Sequence, residues 1–125
     1  MVAKYQTFRE RGPLTTEFIA SSSKFVQGMT QVCLLVDYTK GSSSLCEIKI
    51  EFSGDNVNWY QESVIPELIL FDSFPIHLPC IRKLIDIVRT IICIPICTRY
   101  MRVSARAVGS SDGTSLFIEG VMDRI

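Results

Sequence analysis

The chain has 125 residues, and its 13 Lys and Arg balance 13 Asp and Glu, so the formal net charge is zero. That length holds one hydrophobic core rather than two, and without a positive field neither nucleic acid nor an anionic membrane surface is expected as a primary partner. Hydrophobic residues make up 47% and the mean hydropathy is +0.26, an apolar balance for so small a domain that points to surface covered by another chain.

Residues 1–13 mix charge and polarity and end in Gly12-Pro13, which reads as an N-terminal arm ahead of a single β-sandwich domain over residues 14–125. The same stretch lacks the apolar core and small-residue cleavage site of a secretory signal, so folding in a cytoplasm is expected. Leu14 to Ala20 reads as a first strand. After Ser21-Ser22-Ser23 a second apolar run extends from Lys24 to about Tyr38, with a bulge or break expected at Gly28.

Beyond the Lys40-Gly41-Ser42-Ser43-Ser44 turn, Cys46, Ile48, Ile50 and Phe52 alternate with Leu45, Glu47, Lys49 and Glu51. Period-two alternation of this kind is the mark of a half-buried antiparallel strand. Ser53-Gly54-Asp55-Asn56 supplies turn chemistry, and Asn58 to Val64 is expected to return as a strand, with Trp59 and Tyr60 facing opposite sides. Trp59 fits the core anchor of a sandwich. In the alternative, Trp59 or Tyr60 forms a sugar platform beside Asn56, Asn58 and Gln61.

From Val64 to Phe71 the chain is apolar but interrupted by Pro66 and Glu67, and Pro75 and Pro79 make the following segment a loop or edge path. Ile65, Leu68, Ile69 and Phe71 are the expected partner contacts. Between residues 81 and 92, Leu84, Ile87, Val88, Ile91 and Ile92 fit the stripe of a short helix, whereas the β-branched side chains favour a strand. Arg82, Lys83, Asp86 and Arg89 keep this region short of the roughly 18 uninterrupted apolar residues of a spanning helix, so no membrane role is expected. Met101, Val103, Ala105 and Ala107 then alternate with Tyr100, Arg102, Ser104 and Arg106. The turn Gly109 to Gly113 and a return strand from Ser115 to Asp123 read as a closing hairpin. The Arg99, Arg102 and Arg106 series reads as a solvated face, or as one paired across strands with Glu47 and Glu51, rather than as a binding patch.

The residues give little chemistry. His77 is the sole histidine and reads as a loop residue, with no nucleophile motif near it. Five cysteines without a Cys-x-x-Cys pair suggest neither a zinc site nor a closed disulfide framework. Free thiols are expected, with Cys33 and Cys46 as the one pair that could face across a hairpin. Asp55, Asn56 and Asn58 cluster oxygens but do not complete a calcium loop. No enzyme activity, cofactor or metal is expected.

Two stretches, Glu51-Phe-Ser-Gly-Asp-Asn-Val-Asn-Trp-Tyr-Gln-Glu62 and Arg99-Tyr-Met-Arg-Val-Ser-Ala-Arg-Ala-Val-Gly109 with its return strand to Met122, resemble small β-sandwich virion proteins of tailed bacteriophages. The resemblance implies a mainly β, antiparallel sandwich or jelly roll. It further implies a structural role as a capsid decoration, neck or tail accessory component, in contact with copies of itself and other virion proteins. The protein would then reside in the virion after synthesis in the host cytoplasm. The same grammar occurs in carbohydrate-binding sandwiches, which leaves a glycan as the alternative partner.

Overall fold

The computed structural model of the chain describes residues 4–64, 78–86 and 88–124. These residues form antiparallel β-strands with no helix: β1 (Lys4–Gly12), β2 (Ile19–Ala20), β3 (Lys24–Phe25), β4 (Met29–Thr39), β5 (Leu45–Ser53), β6 (Tyr60–Gln61), β7 (Ser63–Val64), β8 (Leu78–Pro79), β9 (Arg82–Leu84), β10 (Val88–Pro95), β11 (Tyr100–Val108) and β12 (Ser115–Arg124). One sheet has the order β1-β12-β4-β10. The second has the order β2-β11-β5-β6, with β3 also on β11 and β9 also on β5, and β7 and β8 form a separate pair. The mainly β, sandwich-like expectation is therefore met.

The core lies between the two larger sheets. Val32, Leu34, Val36 and Tyr38 of β4 and Leu116, Ile118 and Met122 of β12 point inward from one side. Cys46, Ile48 and Ile50 of β5 and Met101, Val103, Ala105 and Ala107 of β11 meet them from the other. Each set occupies alternate positions, because successive side chains of a strand leave opposite faces. Gly120 has a different use: a Cβ there would lie 2.5 Å from Cε2 of Phe8, so the missing side chain makes room for the Phe8 ring in the core.

Four expectations change here. Most of the expected arm is strand: β1 pairs with β12 and delivers Phe8 to the core, because backbone pairing and burial of one aromatic together order an otherwise polar segment. The short helix near residues 81–92 is absent among the described residues. Leu84 ends β9 on one sheet and Val88 opens β10 on the other, and β-branched side chains at Val88, Ile91, Ile92 and Ile94 suit this extended path. The first expected strand shrinks to Ile19–Ala20, while Gly28, at φ +86°, does break the second run into β3 and β4.

The closing hairpin is the fourth correction. β11 pairs with β5 and β12 pairs with β4, so the Gly109–Gly113 connection crosses from one sheet to the other. The Lys40–Ser44 connection between β4 and β5 does the same, and the two crossings stack. Ser42 N–H donates to Asp112 O at 2.8 Å and Ser44 N–H to Val108 O at 2.9 Å. Inside the first crossing, Ser43 Oγ donates to Lys40 O at 2.6 Å, which leaves it to accept the buried Tyr38 hydroxyl at 2.5 Å.

Candidate interaction surfaces

The outer faces of the two sheets differ in chemistry. On the β5–β11 sheet the alternation that buries Ile48 and Val103 places Glu47, Lys49, Glu51, Arg102, Ser104 and Arg106 outside. Register then sets Arg102 opposite Glu51 and Arg106 opposite Glu47. The cross-strand pairing forms: Arg102 Nε donates to Glu51 Oε1 at 3.2 Å, and Arg106 Nη2 lies 2.6 Å from Glu47 Oε1. Ser104 Oγ donates to the same Glu51 oxygen at 3.0 Å. Burial pushes the Glu51 carboxyl up, but the hydrogen bonds from Arg102 and Ser104 outweigh it and hold the group below its ordinary value.

Aromatic rings continue this ladder. The Arg102 guanidinium sits 4.3 Å from the centre of the Trp59 ring, and Lys49 Nζ and Arg106 lie 4.1 and 4.4 Å from that of Phe18. Trp59 is half-buried on this outer face and is not part of the core, contrary to the anchor expectation. The reason is local: Asp55 collects the turn's N–H groups, so the chain re-enters the sheet only at Tyr60, opposite Phe52. Tyr60 therefore lies on the inner-facing side at the sandwich rim, 69% exposed, away from Trp59. Of the two candidate platforms, Trp59 has one face covered by Arg102, and Tyr60 stands exposed on the other side of the strand.

Asp55 itself serves the turn. Its Oδ1 accepts from Val57 N–H, Asn58 N–H and Ser53 Oγ at 2.8 to 3.0 Å, and Oδ2 accepts from Asn58 Nδ2 at 2.8 Å. Hydrogen bonds from the Asn58 and Val57 backbone hold its pKa well below the usual carboxylate range. Both oxygens are committed to the loop, so the calcium option loses its central ligand. Among the described residues no group of three His, Cys, Asp or Glu side chains is arranged to hold a metal ion.

Carboxylates held down in this way have a pH consequence. Asp37, Glu51 and Asp55 all titrate below their ordinary values of 3.8 to 4.5, so the unfolded chain takes up protons first as pH falls. Their contribution is fully present above the unfolded values and is lost as pH drops through the folded ones. Urea midpoints are expected to be flat between about pH 5 and about pH 8 and to fall steeply below about pH 4. A midpoint that rises on acidification would contradict the sign.

The outer face of the β1-β12-β4-β10 sheet is apolar at its centre. Ile91 is 62% exposed, and Leu35, Phe117 and Val121 are half-buried beside it. Leu35 and Phe117 help to line a shallow hollow of 290 Å³ with Thr90, Arg11, Asp37 and Arg89. Two arginines share one carboxylate at its rim: Arg11 Nη2 is 2.6 Å from Asp37 Oδ2 and Arg89 Nε is 3.6 Å from it. The Arg11 side-chain hydrogen bond is the main cause of the lowered Asp37 pKa.

A disulfide also lies on this face. Cys33 and Cys93 are directly opposite in the β4–β10 register, with Cα atoms 4.0 Å apart, and are bonded to each other. The expected candidate pair fails because Cys46 belongs to β5 of the other sheet and points into the core. Sixty residues separate Cys33 from Cys93, and only the strand pairing brings them together. Burial pushes the Cys46 thiol up to about 12, and Cys80 is also raised by burial, whereas Cys97 is exposed. Thiol labelling of the native protein is therefore expected to modify Cys97 first and Cys46 last. Denaturation without reductant should expose three thiols in total. Five would contradict the Cys33–Cys93 bond.

Another hollow, 480 Å³ and open to solvent, lies between the Gln27–Met29 and Ile96–Arg99 loops beside Gly54. It gathers no set of titratable groups beyond Cys97 and Arg99. Ile65, Leu68, Ile69, Phe71 and His77 lie outside the described residues.

A scan of the sequence against protein-family models finds no match, and a search of curated proteins also finds none. No helix among the described residues is long and apolar enough to cross a membrane.

Proposed function

We propose that the chain is a non-enzymatic structural protein of a tailed-phage virion, a capsid decoration, neck or tail accessory component bound to copies of itself and to other virion proteins. The observation that carries this reading is the apolar outer face around Ile91, Leu35 and Phe117. A sandwich needs only its inner faces for its core, and an exposed apolar centre rimmed by charged groups has the anatomy of a protein contact. On the opposite outer face the charges are spent on one another: Glu47 and Glu51 are each held by an arginine, and those arginines also cover Phe18 and Trp59.

The Cys33–Cys93 bond supports the same reading. Its Cys93 half faces solvent, and an exposed disulfide persists in oxidising surroundings such as those a released particle meets. The chain would fold in the host cytoplasm with reduced thiols already opposed by the β4–β10 register, and after release dissolved dioxygen would take up the two electrons and two protons given up as the Cys33–Cys93 bond forms.

The test is quantitative mass spectrometry of gradient-purified particles from cells that produce the protein. The reading expects the chain at a fixed copy number per particle. Its absence from intact, infectious particles would remove the proposal.

A further inference from the structure

The sheet edges are unequal. β1 is the outer strand on one side, and it is broken by register shifts between Thr7 and Arg9 and between Arg9 and Gly12. Arg9 Nη2 also donates to Pro13 O at 2.7 Å across the end of that edge. In the second sheet β2, β3, β6 and β9 are only two or three residues long. Short, bulged or charged strands are the usual means of blunting an edge. β10 has none of these features at its centre: eight residues run in unbroken register with β4, and no described strand lies on its other side.

The register tells which backbone groups are free. The 4.0 Å Cα separation at Cys33–Cys93 marks a narrow, non-hydrogen-bonded pair. Even-numbered residues of β10 therefore bond to β4, and the alternation continues past the strand end, where Ile96 N–H donates to Thr30 O at 3.0 Å. Odd-numbered residues turn outward, so Arg89, Ile91 and Cys93 present both N–H and C=O to the open edge, while Pro95 has no N–H to offer. Water can satisfy these groups one by one, whereas another extended backbone pairs with the whole row at once.

We infer that β10 pairs antiparallel with β10 of a second copy about a two-fold axis at Ile91, joining the two β1-β12-β4-β10 sheets into one. This deepens the assembly reading and rests on it for the choice of a second copy as occupant. In this register Ile91 faces Ile91 of the second copy and Arg89 faces Cys93, each facing pair exchanging both N–H···O bonds. Centring on Arg89 instead would set two guanidinium groups opposite each other, and centring on Cys93 would place Pro95 where a donor is needed. The Ile91 register avoids both, and it covers a side chain that is 62% exposed in the single chain. Arg89 shares Asp37, 3.6 Å away, with Arg11, so one net positive charge remains at this rim, and the Ile91 register sets it opposite Cys93 rather than opposite its own copy.

Sedimentation equilibrium of the full chain tests this. The wild type is expected at twice the 14.1 kDa chain mass, as is the conservative variant Ile91→Leu. Ile91→Pro removes an outward N–H without touching the bonds to β4, and Ile91→Lys keeps the backbone but places charge beside charge at the axis. Both are expected to sediment as single chains with an unchanged far-ultraviolet spectrum, and if the proline variant does not fold, the lysine variant alone carries the test. A wild type that stays at 14.1 kDa up to its solubility limit, or a folded Ile91→Lys that remains dimeric, would overturn the inference. Dimers from a chain missing in particles would support the edge pairing while removing the virion reading. Single chains found at fixed copy number in particles would do the reverse.

Discussion

Replacing Gly41 with alanine is expected to cost about 3 kcal/mol of folding stability, a large part of what a domain of this size has. Gly41 adopts φ +56°, in the left-handed region, and a Cβ there would run into Asp112 O and the Gly113 carbonyl group. Those obstacles are backbone atoms of the second crossing, held by the Ser42 and Ser44 hydrogen bonds, so they cannot swing aside as a side chain would. Relief requires separating the two stacked crossings. Gly54→Ala is the control: its added methyl meets nothing within 4 Å, and a change within about 0.5 kcal/mol is expected. Urea unfolding of both variants reads the difference. Equal midpoints would mean that the two crossings do not stack.

Leu34→Ala is expected to lose about 3 kcal/mol and Leu35→Ala about 1 kcal/mol or less. The two residues are adjacent in β4, but Leu34 is fully buried between the sheets, whereas Leu35 is half-buried on the outer face beside Phe117. Truncating Leu34 leaves a cavity that the surrounding side chains of the two-sheet core can fill only in part. Truncating Leu35 opens onto solvent. Because a one-residue slip would exchange the two faces, reversed sizes would show that β4 is in the wrong register.

How much of this was legible depends on whether the information is local. Alternation at Cys46, Ile48, Ile50 and Phe52 gave the inward face of β5 directly, and alternation from Met101 to Ala107 gave that of β11. A charged face with arginines on one strand and glutamates on the other was visible in those two patterns, but which arginine meets which glutamate is set by the register. Pairing between distant segments was not legible. The glycine-rich turn at Gly109–Gly113 is compatible with a hairpin or with a crossing between sheets, since both bury one face of each strand. What selects the crossing is contact with Gly41, about seventy residues earlier.

The same limit hid the Cys33–Cys93 bond and the strand nature of the N-terminal segment, whose ordering depends on the gap above Gly120. The helical stripe from Leu84 to Ile92 left helix and strand both open for a different reason. A strand buried on one face and apolar on the other carries hydrophobic residues at nearly every position, so helical spacing can be found within it. In β10 the apolar outer residues are also what the candidate contact surface is made of. Trp59 was misplaced because the Asp55 turn delays re-entry into the sheet, and nothing in residue types alone fixes that delay.

The most direct test of the assembly role is cryo-electron microscopy of purified particles carrying the protein. The reading expects repeated two-sheet density at symmetric positions on head, neck or tail, with the Ile91–Leu35–Phe117 face covered by a neighbouring chain. Particles whose density is fully explained by other proteins, with this sandwich at no position, would contradict it.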